Sequence, residues 1–270
     1  MADPLAFVTR LRELAAVKRR CEYRRLYVLL RREGVAVNRK RVQRLYREAG
    51  LTVRRRKRKR IGPVDRHPLP KPAAPNIRWS MDLITDGLRD GRKLRCLAIV
   101  DDRTRECLAI EVDSSLAGKR VIAVPDRLLD GRSATVSITV NHGHEFEGQA
   151  LDVWACKHDL RLAFIRPSKT IENAYIESFN SRFRDECLNE HGFVTMDHAR
   201  RAIEKWHEEY NAKRPHSSLA DLTPNEYARQ LAGTLGTGYL QPRTRLRTGL
   251  NREPGQTGSG WLRNRLNAVP

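Results

Sequence analysis

At 270 residues the chain can bury a full core together with a smaller appended unit. Its formal net charge of +20 is polarised: residues 1–60 hold 21 Lys and Arg against 5 Asp and Glu, and the remaining 210 residues hold 31 against 27, which points to a polyanion held mainly by the N-terminal segment. The five scattered cysteines (Cys21, Cys96, Cys107, Cys156, Cys187), odd in number and without a C-x-x-C pair, exclude a disulfide framework and a zinc ribbon and fit a reducing cytosol.

Residues 5–33 read as one helical stretch with apolar Leu26, Val28, Leu29 and Leu30, stopping at Gly34. Asn38 is an N-cap for a second helix that carries Val42, Leu45 and Tyr46 and ends near Gly50. A second helix bearing Arg39, Lys40, Arg41, Arg44 and Arg47 after a short turn predicts a small all-α helix-turn-helix DNA-binding region over residues 1–53. A helical hairpin whose charges simply face water is the alternative. The run Arg54, Arg55, Arg56, Lys57, Arg58, Lys59, Arg60 has no apolar face with which to fold, so it reads as an arm that neutralises phosphates. Pro63, Pro68, Pro70, Pro72 and Pro75 then make a stiff linker, closing an arm-and-linker segment over 54–76.

From residue 77 the pattern changes. IRWSMDLIT, KLRCLAIVDD and ECLAIEVD are three short apolar runs separated by turn-sized polar stretches, the signature of an antiparallel meander. A helical stretch at 117–130 follows, which Pro125 is expected to kink or shorten. ATVSITV (134–140) reads as a fourth strand, 148–160 as a helix, and RLAFIRP (161–167) as a fifth strand. Two amphipathic helices over 172–190 and 196–212 and a short one over 224–232 complete the pattern. This order predicts an α/β fold over 77–232: a ribonuclease-H-like core with a mixed five-stranded sheet flanked by helices. The segment 233–270 lacks periodicity and is rich in Gly, Pro, Thr and Arg, so it reads as a disordered tail.

The chemistry-bearing positions are spread along that core. Asp82 sits midway in the first strand, Asn141 directly after the fourth, and Glu177 near the start of a long helix. Acids on two strands and a following helix form a cage for two divalent cations, which serve the attacking and the leaving oxygen of a phosphodiester exchange. Magnesium suits such oxygen ligands. Arg184, two turns beyond Glu177, falls on the same helix face and could hold a DNA backbone. Asp101 and Asp102 read as turn or supporting residues, and Trp79, Trp154 and Trp206 as core.

YRRLYVLLRREG, NRKRVQRLYREAGL, RWSMDLI, VDDRTRECLAIEVD, ENAYIESFNSRFRDECLNEH and YNAKRPHSSLADLTPNEY resemble the second-reading-frame (orfB) transposases of bacterial insertion sequences, relatives of the retroviral integrases. The likeness covers about residues 10 to 232. It implies an integrase core with a DDE triad on Asp82, position 141 and Glu177, followed by Arg184. It further implies magnesium, or manganese in its place, as cofactor. The implied partners are double-stranded DNA of transposon ends and target, further copies of the chain on that DNA, and the product of an upstream first reading frame. The resemblance also places the loop Arg214–Ser217 near DNA, with a helix-ending turn around Pro215 as the equal alternative.

One departure bears on activity. Where the family reads roughly S-D-N-G-P-E-F, this chain reads Thr-Val-Asn-His-Gly-His-Glu-Phe over 139–146, so the second Asp falls on Asn141. An amide keeps a carbonyl ligand but loses the charge that binds a hard cation. His142 and His144 are candidate replacement ligands, better suited to zinc or manganese than to magnesium. The expectation is a strand transferase impaired at Asn141, with a catalytically dead DNA-binding remnant or a helix-turn-helix regulator as the alternatives. No apolar stretch approaches a membrane span and no signal-peptide core precedes residue 30, so the expected location is the cytoplasm, at the nucleoid.

Overall fold

The computed structural model describes residues 4–53, 70–132, 135–141, 143, 145–146, 148–165 and 173–235. The predicted arm residues Arg54–Arg60, the candidate ligands His142 and His144, and the tail from 236 onward lie outside the described residues.

Three helices open the chain: α1 (Pro4–Val17), α2 (Tyr23–Arg32) and α3 (Arg39–Glu48). The single helix expected over 5–33 is therefore two, broken between Lys18 and Glu22. The break lets Phe7 and Leu11 of α1 fold back onto Leu26 and Leu30 of α2 and Val42 and Tyr46 of α3, all buried in one cluster. Both α2 and α3 end in the same way. Gly34 and Gly50 take the left-handed conformation (φ 81° and 68°). Their N–H groups donate to the Arg31 and Arg47 carbonyls, and the next residues, Val35 and Leu51, donate to Leu30 and Tyr46. This double bond pattern satisfies the last carbonyls of each helix and turns its apolar residue inward. At the head of α3 the Asn38 side chain accepts from the Lys40 amide at 2.8 Å, as an N-cap should.

The larger unit is built on a five-stranded sheet in the order β3-β2-β1-β4-β5, with β1 Arg78–Gly87, β2 Lys93–Asp101, β3 Cys107–Asp113, β4 Ser137–Val140 and β5 Arg161–Phe164. β1, β2 and β3 form the antiparallel meander, β4 pairs with β1 in parallel, and β5 pairs with β4 in parallel. Helices cover both faces. Alternation along β1 and β2 sends Trp79, Met81, Leu97 and Ile99 toward α4 (Gly118–Gly131) and α5 (Gln149–Lys157). Ile84, Cys96, Ala98 and Val100 face α6 (Ala174–Glu186) and α7 (Met196–Lys213) instead. Pro125 does not shorten α4, which runs on to Gly131. Proline leaves the Val121 carbonyl without its usual donor, but Val121, Val124 and Pro125 itself are buried, and that packing offsets the lost bond. The last helix, α8 (Pro224–Leu235), passes the boundary expected at 232 and takes 233–235 out of the expected tail.

Long-range ion pairs seat the three-helix unit on the sheet domain. Arg25 of α2 reaches Glu186 at the end of α6 (2.9 Å), Arg20 reaches Glu190 (3.1 Å), and Arg32 reaches Glu226 of α8 (2.7 Å). Lys18 also pairs with Glu209 of α7. The Glu186 knot is the most enclosed. Arg214 grips the same carboxylate through two nitrogens, both at 2.8 Å, and donates to the His216 ring. The loop expected to approach DNA thus has its arginine committed to an internal pair. Arginine neighbours hold the Glu186 carboxyl down to about 2 against the cost of burial. Burial and the same arginines push the His216 ring down to about 3, so it stays neutral.

Candidate functional site

α6 presents two adjacent stripes. Ile176, Phe179 and Phe183 are buried against the sheet. One residue further round, Glu177, Asn180 and Arg184 repeat the same three-and-four spacing along the edge of that contact. Opposite them stands Asp82, which alternation places on the α6-facing side of β1 with Ser80 and Ile84. β1 and β4 pair in parallel with Ser80 beside Thr139. Two residues further along, the same register brings Asn141 to Asp82.

The three positions read from sequence do converge. The Asn141 Nδ2 donates to Asp82 Oδ1 at 2.6 Å. The other carboxylate oxygen, Oδ2, accepts from Nδ2 of Asn180, also at 2.6 Å, and the Leu83 amide donates to Oδ1 at 2.8 Å. Desolvation raises the Asp82 carboxyl above the ordinary carboxylate range, while the Leu83 and Asn180 bonds and the Arg184 charge pull against it. Glu177 is raised as well, first by burial and then by the like charge of Asp82. Two carboxyls raised by burial, Glu177 also by its like-charged neighbour, mark a place where positive charge is missing. Arg184 supplies part of it from an exposed position, its guanidinium donating to the Thr85 carbonyl at 3.3 Å.

The chemistry of the donors fits one hard divalent cation. Asp82 and Glu177 offer carboxylate oxygens, and the enclosed Asn180 Oδ1 has no hydrogen-bond partner. Rotating either amide by half a turn exchanges an N–H for a carbonyl oxygen, a donor such a cation accepts. A second cation fits less well. Among the described residues no three His, Cys, Asp or Glu side chains group as metal ligands. Glu145, in the same loop as Asn141, is paired with Arg95 at 2.6 Å.

Asn180 was not singled out from sequence. Its signal was present in its spacing, three residues after Glu177 on one helix face. Asp101 and Asp102 prove structural. Asp101 ties the Asn76, Arg103 and Thr104 amides at 2.7 to 2.8 Å, and Asp102 accepts from Ser80 and Arg78. Trp79 and Trp154 are buried and Trp206 packs against the core. On α3, Arg39, Lys40, Arg41, Arg44 and Arg47 are all exposed, Arg44 contacting Glu48 across one turn. No described helix is long and apolar enough to cross a membrane.

Comparison with known proteins agrees with this architecture. Two family models described as an integrase core domain match residues 72–170 and 158–224, and an HTH-like domain matches 5–59. The 31.7 kDa protein of insertion element IS407 from Burkholderia multivorans (strain ATCC 17616 / 249) is 48% identical over 81% of this chain and 79% of that protein. The 39.2 kDa protein of IS476 from Xanthomonas euvesicatoria is 42% identical over 83% of this chain and 64% of its own length. InsK of Escherichia coli (strain K12), named as a candidate transposase for insertion sequence element IS150, is 26% identical over 77% of each chain. Among solved structures, the simian T-cell lymphotropic virus intasome in complex with PP2A regulatory subunit B56 gamma superposes with a TM-score of 0.54. It covers 92% of this chain and 80% of that one at 13% identity, a likeness of fold.

Proposed function

Because this chain belongs to the insertion-sequence transposases built on a retroviral-integrase-like core, we propose that it grips transposon-end DNA through α3 and carries a strand-transfer site at Asp82, Asn141 and Glu177 that works poorly. The observation that carries the proposal is the 2.6 Å bond from the Asn141 amide to Asp82. It supports the reading of position 141 as part of the site, and it puts a neutral donor where a third carboxylate would complete the charge.

Asp82 and Glu177 would hold magnesium, or manganese in its place, which supplies Lewis-acid charge for phosphodiester chemistry. The protein side of the work falls to named groups. Asp82 is oriented by the Leu83 amide and by Asn180. Arg184, in the field of Asp82, is placed to meet a phosphate. Water is the expected nucleophile for the nick and the freed 3′-hydroxyl for the joining step. With Asn141 the site lacks one negative charge, and several kcal/mol of transition-state stabilisation depend on such metal sites. A rate loss of about two orders of magnitude or more follows from ~3 kcal/mol.

The deciding experiment compares the unmodified chain with Asn141→Asp in magnesium- and manganese-dependent cleavage of a duplex carrying the element's terminal repeats. Cleavage by the Asp variant alone is the expected result. Equal cleavage by both proteins would remove the case for impairment. Cleavage by neither would favour the second reading, a DNA-binding remnant, which the occupation of both Asp82 oxygens by amide donors already favours.

A further inference from the structure

The tight turn between β2 and β3 holds two arginines whose guanidinium groups pair with no acid among the described residues. Asp101 builds the turn, its carboxylate accepting the Arg103 and Thr104 amides while its carbonyl accepts from Arg105. Arg105 sits at φ 64°, a conformation that a branched or long side chain rarely occupies. Strain of this kind persists where the surroundings over-determine it, often at a binding site. The turn delivers the Arg105 guanidinium carbon over the Tyr175 ring, 3.6 Å from its centre. Arg103 lies 5.9 Å over the ring of Tyr227, which Lys71 also caps at 5.3 Å.

Neither arginine forms an ion pair or a side-chain hydrogen bond among the described residues. Arg103 Nε and one terminal nitrogen of Arg105 are enclosed without an acceptor, although each residue as a whole stays partly exposed. A guanidinium stacked on an aromatic face has its edge N–H groups free for a planar, oxygen-rich anion. Elsewhere in this fold partly buried arginines are answered: Arg25 and Arg214 by Glu186, Arg78 by Asp102. The pair at 103 and 105 is set apart because these guanidinium groups meet tyrosine rings, with Lys71 beside Tyr227, and none of the carboxylates of the described residues pairs with them.

We propose that Arg103 and Arg105, with Lys71 and the Tyr175 and Tyr227 rings, form a phosphate-binding station for a nucleic-acid backbone, separate from α3. The proposal rests on the DNA reading above and extends it. Tyr175 lies two residues before Glu177 on α6, and Arg78, which also contacts the Tyr175 ring, lies four residues before Asp82 on β1. At ~3.3 Å per strand residue, Arg78, beside the station, stands about 13 Å along β1 from Asp82. One DNA strand, with a phosphate every ~3.4 Å of axis, spans that gap in about four nucleotides. The station would therefore hold the strand whose scissile phosphate lies over Asp82 and Glu177.

The test measures binding of a 30-base-pair duplex to the full chain by fluorescence anisotropy across a salt series. The proteins are the unmodified chain, the Arg103→Gln/Arg105→Gln double variant and the Arg103→Gln single variant, with melting temperatures recorded for each. The double variant is expected to lose about tenfold in affinity at low salt and to flatten the log K against log salt slope by roughly 0.9 for each phosphate no longer neutralised. The single variant, whose backbone keeps its Asp101 bonds, is expected to lose roughly half of that slope change even if the double variant folds poorly. Unchanged slopes in both variants would overturn the station and leave the DNA reading standing. Failure of the unmodified chain to bind duplex DNA would overturn the DNA reading, and the station with it.

Discussion

Asn141 and Asp82, 59 residues apart in sequence, are joined by a 2.6 Å hydrogen bond just beyond the parallel β1–β4 pairing. An amide there satisfies a half-buried carboxylate without metal. Replacing it by a second carboxylate sets two like charges side by side, beside Glu177, whose carboxyl the Asp82 charge already raises. Asn141→Asp should therefore lower the stability of the metal-free protein by roughly 1–3 kcal/mol, the cost of leaving a buried polar group unanswered. Magnesium should restore it, because an ion that binds only the folded form stabilises by mass action, ~2.7 kcal/mol at a hundredfold excess over Kd. Thermal melts of both proteins with and without magnesium are the check. A variant melting like the unmodified chain under both conditions would show that position 141 is not electrostatically part of the site.

Asn180 holds the other Asp82 oxygen, and its bond is one of the influences that lower the Asp82 carboxyl against a larger desolvation effect. Asn180→Leu removes the donor at similar volume. The Asp82 carboxyl should then titrate at higher pH than in the unmodified chain, and occupancy by any cation should be lost at a correspondingly higher pH on acidification. Carbon-13 NMR titration of the Asp82 carboxyl reads this directly. A shift toward lower pH would contradict the assignment of Asn180 as its supporting donor.

Much of this architecture was legible because it rests on short-range pattern. Short apolar runs bounded by turn-sized polar stretches marked the strands, and the helical spacing from Glu177 to Arg184 marked the α6 edge stripe. Asn38, Gly34 and Gly50 marked the helix ends through local hydrogen-bond chemistry. Other features have no short-range signature. The break at Lys18–Glu22 exists because α1 folds back onto α2 and α3, while its own composition would continue the helix. Pro125 survives inside α4 because packing offsets one lost bond. The pairing of Arg25 with Glu186, 161 residues away, is fixed only by how the two units dock. Hence the N-terminal charge excess, which points to a polyanion, gives no sign that Lys18, Arg20, Arg25 and Arg32 answer acids of the sheet domain.

The Glu186 knot should make the protein labile to acid in two stages. His216 is held neutral with its value lowered from 6.5 to about 3, so below pH 6.5 the unfolded chain takes a proton that the folded one refuses. Stability contributed by His216 is therefore full above pH 6.5 and lost as pH falls toward 3. Glu186, lowered from 4.5 to about 2, contributes in the same direction, full above 4.5 and lost on falling toward 2. Glu186→Gln leaves Arg25 and Arg214 without their carboxylate and should cost on the order of 3 kcal/mol at neutral pH. It should also abolish the lower stage of the acid transition. Urea denaturation from pH 7 to about pH 2 measures both, and a pH profile in Glu186→Gln that matches the unmodified chain would refute the knot's role.

The two sets of basic residues in the three-helix unit predict opposite behaviour toward DNA. Arg39, Lys40, Arg41 and Arg47 of α3 are exposed and make no ion pairs among the described residues, so their charges are available to phosphates. Lys18, Arg25 and Arg32 are bound to Glu209, Glu186 and Glu226. Neutralising Arg39, Lys40 and Arg41 to Gln should flatten the salt dependence of duplex binding by roughly 0.9 for each phosphate left without its cation. Neutralising Lys18 and Arg32 should leave that slope in place while loosening the seat between the units, seen as a drop in melting temperature. The run Arg54–Arg60 provides a third arm of the test: replacing it by neutral residues should flatten the slope further if the segment neutralises phosphates, and an unchanged slope would refute that role. If instead the Lys18 and Arg32 substitutions flatten the slope as much as those on α3, then the acids of the sheet domain release their partners when DNA arrives. The docked arrangement would in that case be a resting state that opens on DNA.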